Sequence, residues 1–197
     1  MGKALLVLVT GALLLALFAG AAAARVFIGT NGDDDMTGTD YPAGDVIRTL
    51  DGRDTVDARG GDDIVDGGRG SDGGMDGPAL FADSPDHTTD SDLDGNDAVL
   101  GGPGSDALHG FGGDDVLSGG AGNDRIFAGE HRFDLMGSIY PTQNPGKDTV
   151  KGGRGKDLVF AADGRADRID CGQGSDWVLF DRGLDLVVSC ETRNRGL

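Results

Sequence analysis

A nine-residue phrase, said four times without a gap from Asp92 to Phe127, leaves this chain few ways to fold. The copies begin at Asp92, Gly101, Gly110 and Gly119. The second reads Gly101-Gly102-Pro103-Gly104-Ser105-Asp106-Ala107-Leu108-His109, and the fourth reads Gly119-Gly120-Ala121-Gly122-Asn123-Asp124-Arg125-Ile126-Phe127. Each carries Gly at its fourth position, Asp at its sixth and an aliphatic residue at its eighth. Glycines in the first half let the backbone take positive φ and turn tightly, which crowds carbonyl oxygens together. The last three residues are too few for a helix but enough for a short strand, whose side chains alternate between faces. The eighth position therefore points inward, and the seventh and ninth point out.

The same markers recur on either side of that stretch. A first block, residues 29–75, carries Asp34, Asp45, Asp54, Asp63 and Asp72. The second, residues 92–127, carries Asp97, Asp106, Asp115 and Asp124. The third, residues 143–188, carries Asp148, Asp157, Asp167, Asp176 and Asp185, with one extra residue inside the phrase that starts at Ala161. The eighth positions are Met36, Ile47, Val56, Val65, Gly74, Val99, Leu108, Leu117, Ile126, Val150, Val159, Ile169, Val178 and Val187; only Gly74 is not apolar. Segments 76–91 and 128–142 break the array and read as loops extruded from its side. Two phrases make one coil, so each phrase stacks on the next but one, about 4.8 Å away. The expected fold is all-β: a right-handed parallel β-roll of about seven coils. Stacking pairs Asp45 with Asp63, Asp54 with Asp72, Asp97 with Asp115, Asp106 with Asp124, Asp148 with Asp167, Asp157 with Asp176 and Asp167 with Asp185, alternately on opposite edges.

The phrase is the G-G-x-G-x-D-x-U-x nonapeptide of calcium-binding parallel β-helices, and the chain resembles the RTX, or haemolysin-type, calcium-binding repeat family. The chemistry agrees. Calcium takes six to eight hard oxygens at roughly 2.3–2.6 Å; one turn cannot supply them, so two stacked turns share each ion. The expected Ca2+ ligands are Asp45, Asp54, Asp63, Asp72, Asp97, Asp106, Asp115, Asp124, Asp157 and Asp176, with turn glycines such as Gly102, Gly104, Gly113 and Gly122. Asp167-Arg168-Ile169-Asp170-Cys171-Gly172, Ser175-Asp176-Trp177-Val178 and Asp185-Leu186-Val187-Val188-Ser189-Cys190-Glu191 resemble the terminal coil of Sec-exported members of this family.

Export is written at the other end as well. Lys3, the apolar run Ala4–Phe18 and the small residues Ala21–Ala24 read as a signal peptide over 1–24, leaving 25–197 as one calcium-binding domain with no membrane span, secreted or held at the cell surface. The formal charge is −17, and loss of Lys3 makes it −18. So acidic and glycine-rich a chain stays unfolded unless something neutralises its carboxylates, and its acidity argues against nucleic acid as a partner. The middle block sets seven acids against Arg125 alone, whereas the third sets eight against seven cations, Lys147 and Lys156 among them, which compete with calcium there. No nucleophile, acid–base pair or zinc spacing marks an enzyme.

Two cysteines in an exported chain favour a disulfide. Cys171 opens one phrase and Cys190 is the second residue of the phrase stacked on it, which puts their Cα atoms inside the disulfide window of about 4.4–6.8 Å. Finally, Leu158 and Phe160 should stack under Trp177 and Leu179 on an outward face. Such a ladder marks a contact surface, covered either by loop 128–142 or by a second copy or surface partner. The runner-up to a calcium-binding roll is an adhesion or polymer-binding module that uses the roll as scaffold.

Overall fold

The computed structural model describes residues 24–40, 44–72, 79–82, 95–129, 132–133, 139–140 and 146–195, and every regular element among them is a β-strand. The leader expected at 1–24 lies outside the described residues, Ala24 excepted. Among the described residues no helix is long and apolar enough to cross a membrane.

The strands alternate between two eight-stranded parallel sheets. The first sheet takes Val26–Ile28, Val46–Arg48, Ile64–Asp66, Ala98–Pro103, Val116–Ala121, Thr149–Gly155, Arg168–Gly174 and Leu186–Val188, in that order. The second takes Asp35–Thr39, Thr55–Arg59, Leu80–Phe81, Ala107–Phe111, Arg125–Gly129, Leu158–Ala161, Trp177–Phe180 and Thr192–Arg195. The chain enters one sheet, turns at an aspartate and enters the other, so sequence neighbours sit on opposite walls. This is the β-roll expected from the nonapeptide.

Register follows the eighth positions. Ile47, Val65, Val99, Leu117, Val150, Ile169 and Val187 align along the first sheet. Met36, Val56, Leu80, Leu108, Ile126, Val159 and Val178 align along the second. Between the walls, Ile47, Val56, Val65, Leu80, Val99, Leu108, Leu117, Ile126, Val150, Val159, Ile169 and Val178 are fully buried; burying each stabilises the roll by about 1.5–3 kcal/mol. A second inward row, of small residues, runs beside this one: Thr49, Ala58, Ala128, Ala161 and Cys171 are buried at first positions of their phrases. Glycine takes the same place at Gly101, where a methyl would lie 2.6 Å from Asp106 Oδ2 and 2.7 Å from the Gly119 carbonyl oxygen.

Two expected loops are corrected. Segment 76–91 is not wholly extruded, because Leu80–Phe81 returns to the second sheet between Thr55–Arg59 and Ala107–Phe111. Gly74, given the inward place by counting, lies outside the described residues. It has no side chain to bury, and Leu80, six residues further on, fills that place with none of its surface exposed. The second interruption begins later than expected, because Ala128 and Gly129 end a strand of the second sheet, with Gly129 beside Phe111; beyond them Arg132–Phe133 pairs antiparallel with Ile139–Tyr140, apart from both large sheets.

The roll also runs past residue 188. Thr192–Arg195 adds a last strand beside Trp177–Phe180. Cys171 and Cys190 are joined, with Cα atoms 5.1 Å apart, and extend the small inward row to the end of the core.

Candidate metal centre

The aspartates that close the turns form two continuous files, one along each edge of the roll. In each file the backbone N–H of one aspartate donates to Oδ1 of the aspartate one coil on. The first file joins Asp45 to Asp63, Asp63 to Asp97 (2.7 Å), Asp97 to Asp115 (2.9 Å), Asp115 to Asp148 (2.9 Å), Asp148 to Asp167 (2.9 Å) and Asp167 to Asp185 (3.0 Å). The second joins Asp34 to Asp54 (2.8 Å), Asp54 to Asp72 (2.9 Å), Asp72 to Asp106 (2.9 Å), Asp106 to Asp124 (3.0 Å), Asp124 to Asp157 (3.0 Å) and Asp157 to Asp176 (2.9 Å). Glu191 ends it, taking the N–H of Asp176 on Oε2 at 2.8 Å.

The seven pairs expected from the phrase count are therefore neighbours. The files also cross both interruptions, through Asp63–Asp97 and Asp72–Asp106 and through Asp115–Asp148 and Asp124–Asp157. Counting by blocks stopped at those breaks. Asp34 and Glu191, the two ends of the second file, were visible only as a marker out of phase and as part of the terminal signature.

Inside the files, away from their ends, one oxygen of each carboxylate is spent on this ladder. The other is not. Oδ2 of Asp54, Asp63, Asp72, Asp106, Asp115, Asp124, Asp148, Asp157, Asp167 and Asp176 is buried and accepts no hydrogen bond. Backbone oxygens converge on the same space. At Gly67, as at Gly101, the missing methyl would meet the Oδ2 of its own turn, Asp72, at 2.8 Å and a carbonyl oxygen of the next coil, Gly101, at 3.0 Å. The expected glycines hold these turns open. Gly102, Gly113 and Gly122 have φ of 105°, 99° and 146°, and Gly104 lies against the Gly70 carbonyl so closely that no Cβ fits.

Rows of buried oxygens without donors are electrostatically untenable as bare anions. Burial first, and then the charge of stacked neighbours, raises the carboxyl of Asp115 to about 10, those of Asp63 and Asp148 to about 8, and those of Asp72, Asp124 and Asp167 to about 7. The N–H bond that each accepts works the other way and does not win. A hard divalent cation would answer both defects, because it offers charge and takes several oxygens at once. The donor set fits such an ion: carboxylate and carbonyl oxygens, no nitrogen, no sulfur.

The third block is built like the others. Asp148, Asp157, Asp167 and Asp176 are as buried as Asp106. The charges acting on Asp148 are those of Asp167, Asp163 and Asp114, all negative. Lys147, Lys151 and Lys156 are exposed. Their competition, expected from the charge count, has no counterpart in the geometry. The fifth positions instead form their own outer ladder. Asp114 N–H donates to Asn96 Oδ1 at 2.7 Å and Lys147 N–H to Asp114 Oδ1 at 2.8 Å; on the other edge Lys156 N–H donates to Asn123 Oδ1 at 2.8 Å. A lysine cannot accept, so it can only close such a ladder.

The outward ladder expected on the second sheet is present and longer than foreseen. Leu158 pairs with Trp177 and Phe160 with Leu179. Phe81, His109, Phe127 and Phe160 continue the row, with ring centroids 5.0, 4.4 and 4.8 Å apart. Burial among these rings lowers the His109 imidazole to about 4, so it is neutral at pH 7.

Comparison with known families agrees with this geometry. The model of the RTX calcium-binding nonapeptide repeat, in four copies, matches residues 41–73, 93–130 and 143–178, more than half of the 197. No curated protein and no solved structure matches the chain. The matched segments hold the turns of both aspartate files from Asp45 to Asp176, and on that ground the chain belongs to the RTX calcium-binding nonapeptide repeat family.

Proposed function

We propose that the protein is secreted and binds calcium ions between stacked turns along both edges, and that this binding drives its folding. Asp45, Asp63, Asp97 and Asp115 hold ions on one edge. Asp54, Asp72, Asp106, Asp124, Asp157 and Asp176 hold them on the other, with carbonyls of turn residues, Gly102, Gly104, Gly113 and Gly122 among them, completing the oxygen shells. The observation that carries this reading is the run of buried Oδ2 atoms without a hydrogen-bond donor. A chain of charge −18 after loss of its leader repels itself until cations bridge the turns. Outside the cell calcium is abundant, so ordering would follow export. The role is binding and structural, not catalytic.

Far-ultraviolet circular dichroism of the mature chain, titrated with calcium and then with excess chelator, tests this. β signal should rise with calcium and fall with chelator. Magnesium should do little, because it gives up water reluctantly and wants strict octahedral geometry. A spectrum unchanged by chelator would refute calcium-driven folding.

A second reading, an adhesion or polymer-binding module on a calcium-ordered scaffold, draws on the outward row of Phe81, His109, Phe127 and Phe160 and its continuation at Leu158, Trp177 and Leu179. A homodimer or surface partner would dock there. Sedimentation velocity in calcium distinguishes the dimer, which should dissociate in Phe160→Ser.

A further inference from the structure

We propose that Asp163, outside the nonapeptide pattern, joins Asp148 and Asp167 to form one calcium site of a kind the repeat does not encode. The inference rests on the reading of the aspartate files as calcium ligands and adds to it a site with its own ligand set. One carboxylate oxygen from each of the three lies within 4.8 Å of the others. Two ligands on opposite sides of one calcium ion stand about 5 Å apart, so all three can reach a single ion. Asp148 and Asp167 are 2 % and 3 % exposed, and Oδ2 of each, like Oδ2 of Asp163, is buried without a hydrogen-bond donor.

The local chain explains why the extra carboxylate is here. A regular turn draws on glycines at its first half. The turn into Asp167 reads Ala161-Ala162-Asp163-Gly164-Arg165-Ala166-Asp167, one residue longer than the repeat and with neither leading glycine. The turn above it is the one interrupted after Gly129. At that break Asp163 packs against Gly129: a methyl on Gly129 would lie 2.6 Å from Asp163 Oδ2. The carboxylate thus stands where two irregular turns meet and where the repeat's own residues leave the stack. Its pose is held from both ends. Asp163 Oδ1 accepts the Arg165 N–H at 2.8 Å, and the Gly164 N–H donates to Asp181 Oδ2 at 2.6 Å. With Oδ1 engaged in the turn and Oδ2 buried without a donor, Asp163 makes three the carboxylates that supply the charge a regular site spreads over two.

Native mass spectrometry of the mature chain in calcium counts ions per chain in the wild type, Asp163→Asn and Asp163→Ala. Asn keeps the acceptor for the Arg165 N–H, so the turn is preserved. Both variants should fold in calcium by circular dichroism and hold one calcium fewer than the wild type, and Asp170→Asn, an exposed neighbour, should hold the full number. Variants that retain the full number overturn this site and leave the file reading standing. A wild type that holds no calcium overturns both.

Discussion

Replacing Asp115 by Asn should move the stability of the roll in opposite directions with and without calcium. Asp115 sits midway along the first file, 1 % exposed, taking the Asp97 N–H on Oδ1 at 2.9 Å and giving its own N–H to Asp148. In the ion-free roll burial, then the charges of Asp97 and Asp148, lift its carboxyl from 3.8 to about 10. A folded-state value above the unfolded one means that the folded chain binds the extra proton, so ion-free stability falls as pH rises from about 4 toward 10. At pH 7 the unfolded carboxyl has released a proton that the folded one keeps. The penalty is 2.303RT times the distance from 3.8 to 7, about 4 kcal/mol.

Asparagine keeps the Oδ1 acceptor and has no proton to lose, which removes that penalty. Its buried NH2 group, if it finds no acceptor, costs about 1–3 kcal/mol. The chelated variant should therefore be more stable than the wild type by about 1–3 kcal/mol. In calcium the sign reverses. An ion present at a hundred times its Kd stabilises the folded state by about 2.7 kcal/mol, and losing the carboxylate forfeits a contribution of that size. At pH 7, followed by circular dichroism, urea unfolding in excess calcium measures the loss, and refolding by a stabilising osmolyte in chelator measures the gain. A variant weaker in both media, or unchanged in both, would refute the claim that Asp115 is an ion ligand strained by the ion's absence.

Acidification should partly replace calcium. With Asp63, Asp115 and Asp148 raised to about 8–10 and Asp72, Asp124 and Asp167 to about 7, the chelated chain should gain β signal as pH falls from 8 to 5, while calcium affinity drops over the same range because protons compete for the same oxygens. Calorimetric titration at several pH values checks the second half; affinity independent of pH would count against carboxylate ligation. The Cys171–Cys190 bridge closes a separation of 19 residues, worth about 3 kcal/mol by the loop-entropy argument. Hydrogen exchange in chelator should find the last coils the best protected, and reduction should remove that protection; equal exchange before and after reduction would show that the bridge does not hold the end of the roll.

How far the sequence could be read depended on whether phase survived. Val56, Leu108 and Val178 were legible as inward residues because period nine points every eighth position into the core, from one wall and the other in turn. Leu80 was not, because the chain runs out of phase after Asp72 and nothing local distinguishes Leu80 from a loop residue. Its place is fixed only by the gap that Val56 and Leu108 leave between them. The bonds Asp63–Asp97 and Asp115–Asp148 were hidden for the same reason, since steps of 34 and 33 residues do not announce themselves as stacking. The small inward row was missed: Thr49, Ala58 and Ala161 open their phrases, but glycine at the equivalent places reads as a turn residue, and Ala128 was counted into a loop. Asp163 was counted only as charge.

That last point separates two ways of ranking sites. Counting charges sets Lys147 and Lys151 against Asp148 and expects Asp148→Ala to matter less than Asp106→Ala. In the roll, however, Lys147, Lys151 and Lys156 are exposed, and an ammonium held in water acts through a high dielectric, which weakens its pull on a buried carboxylate. What a turn offers an ion is its donor-free oxygen, and Asp106 and Asp148 offer the same one, Oδ2, equally buried and equally laddered through Oδ1. Calorimetric titration of Asp106→Ala and Asp148→Ala should therefore find similar losses of bound calcium. Full retention in Asp148→Ala, with loss in Asp106→Ala, would mean that the surface lysines do reach the turn and that charge balance, not the orphaned oxygen, decides where calcium sits.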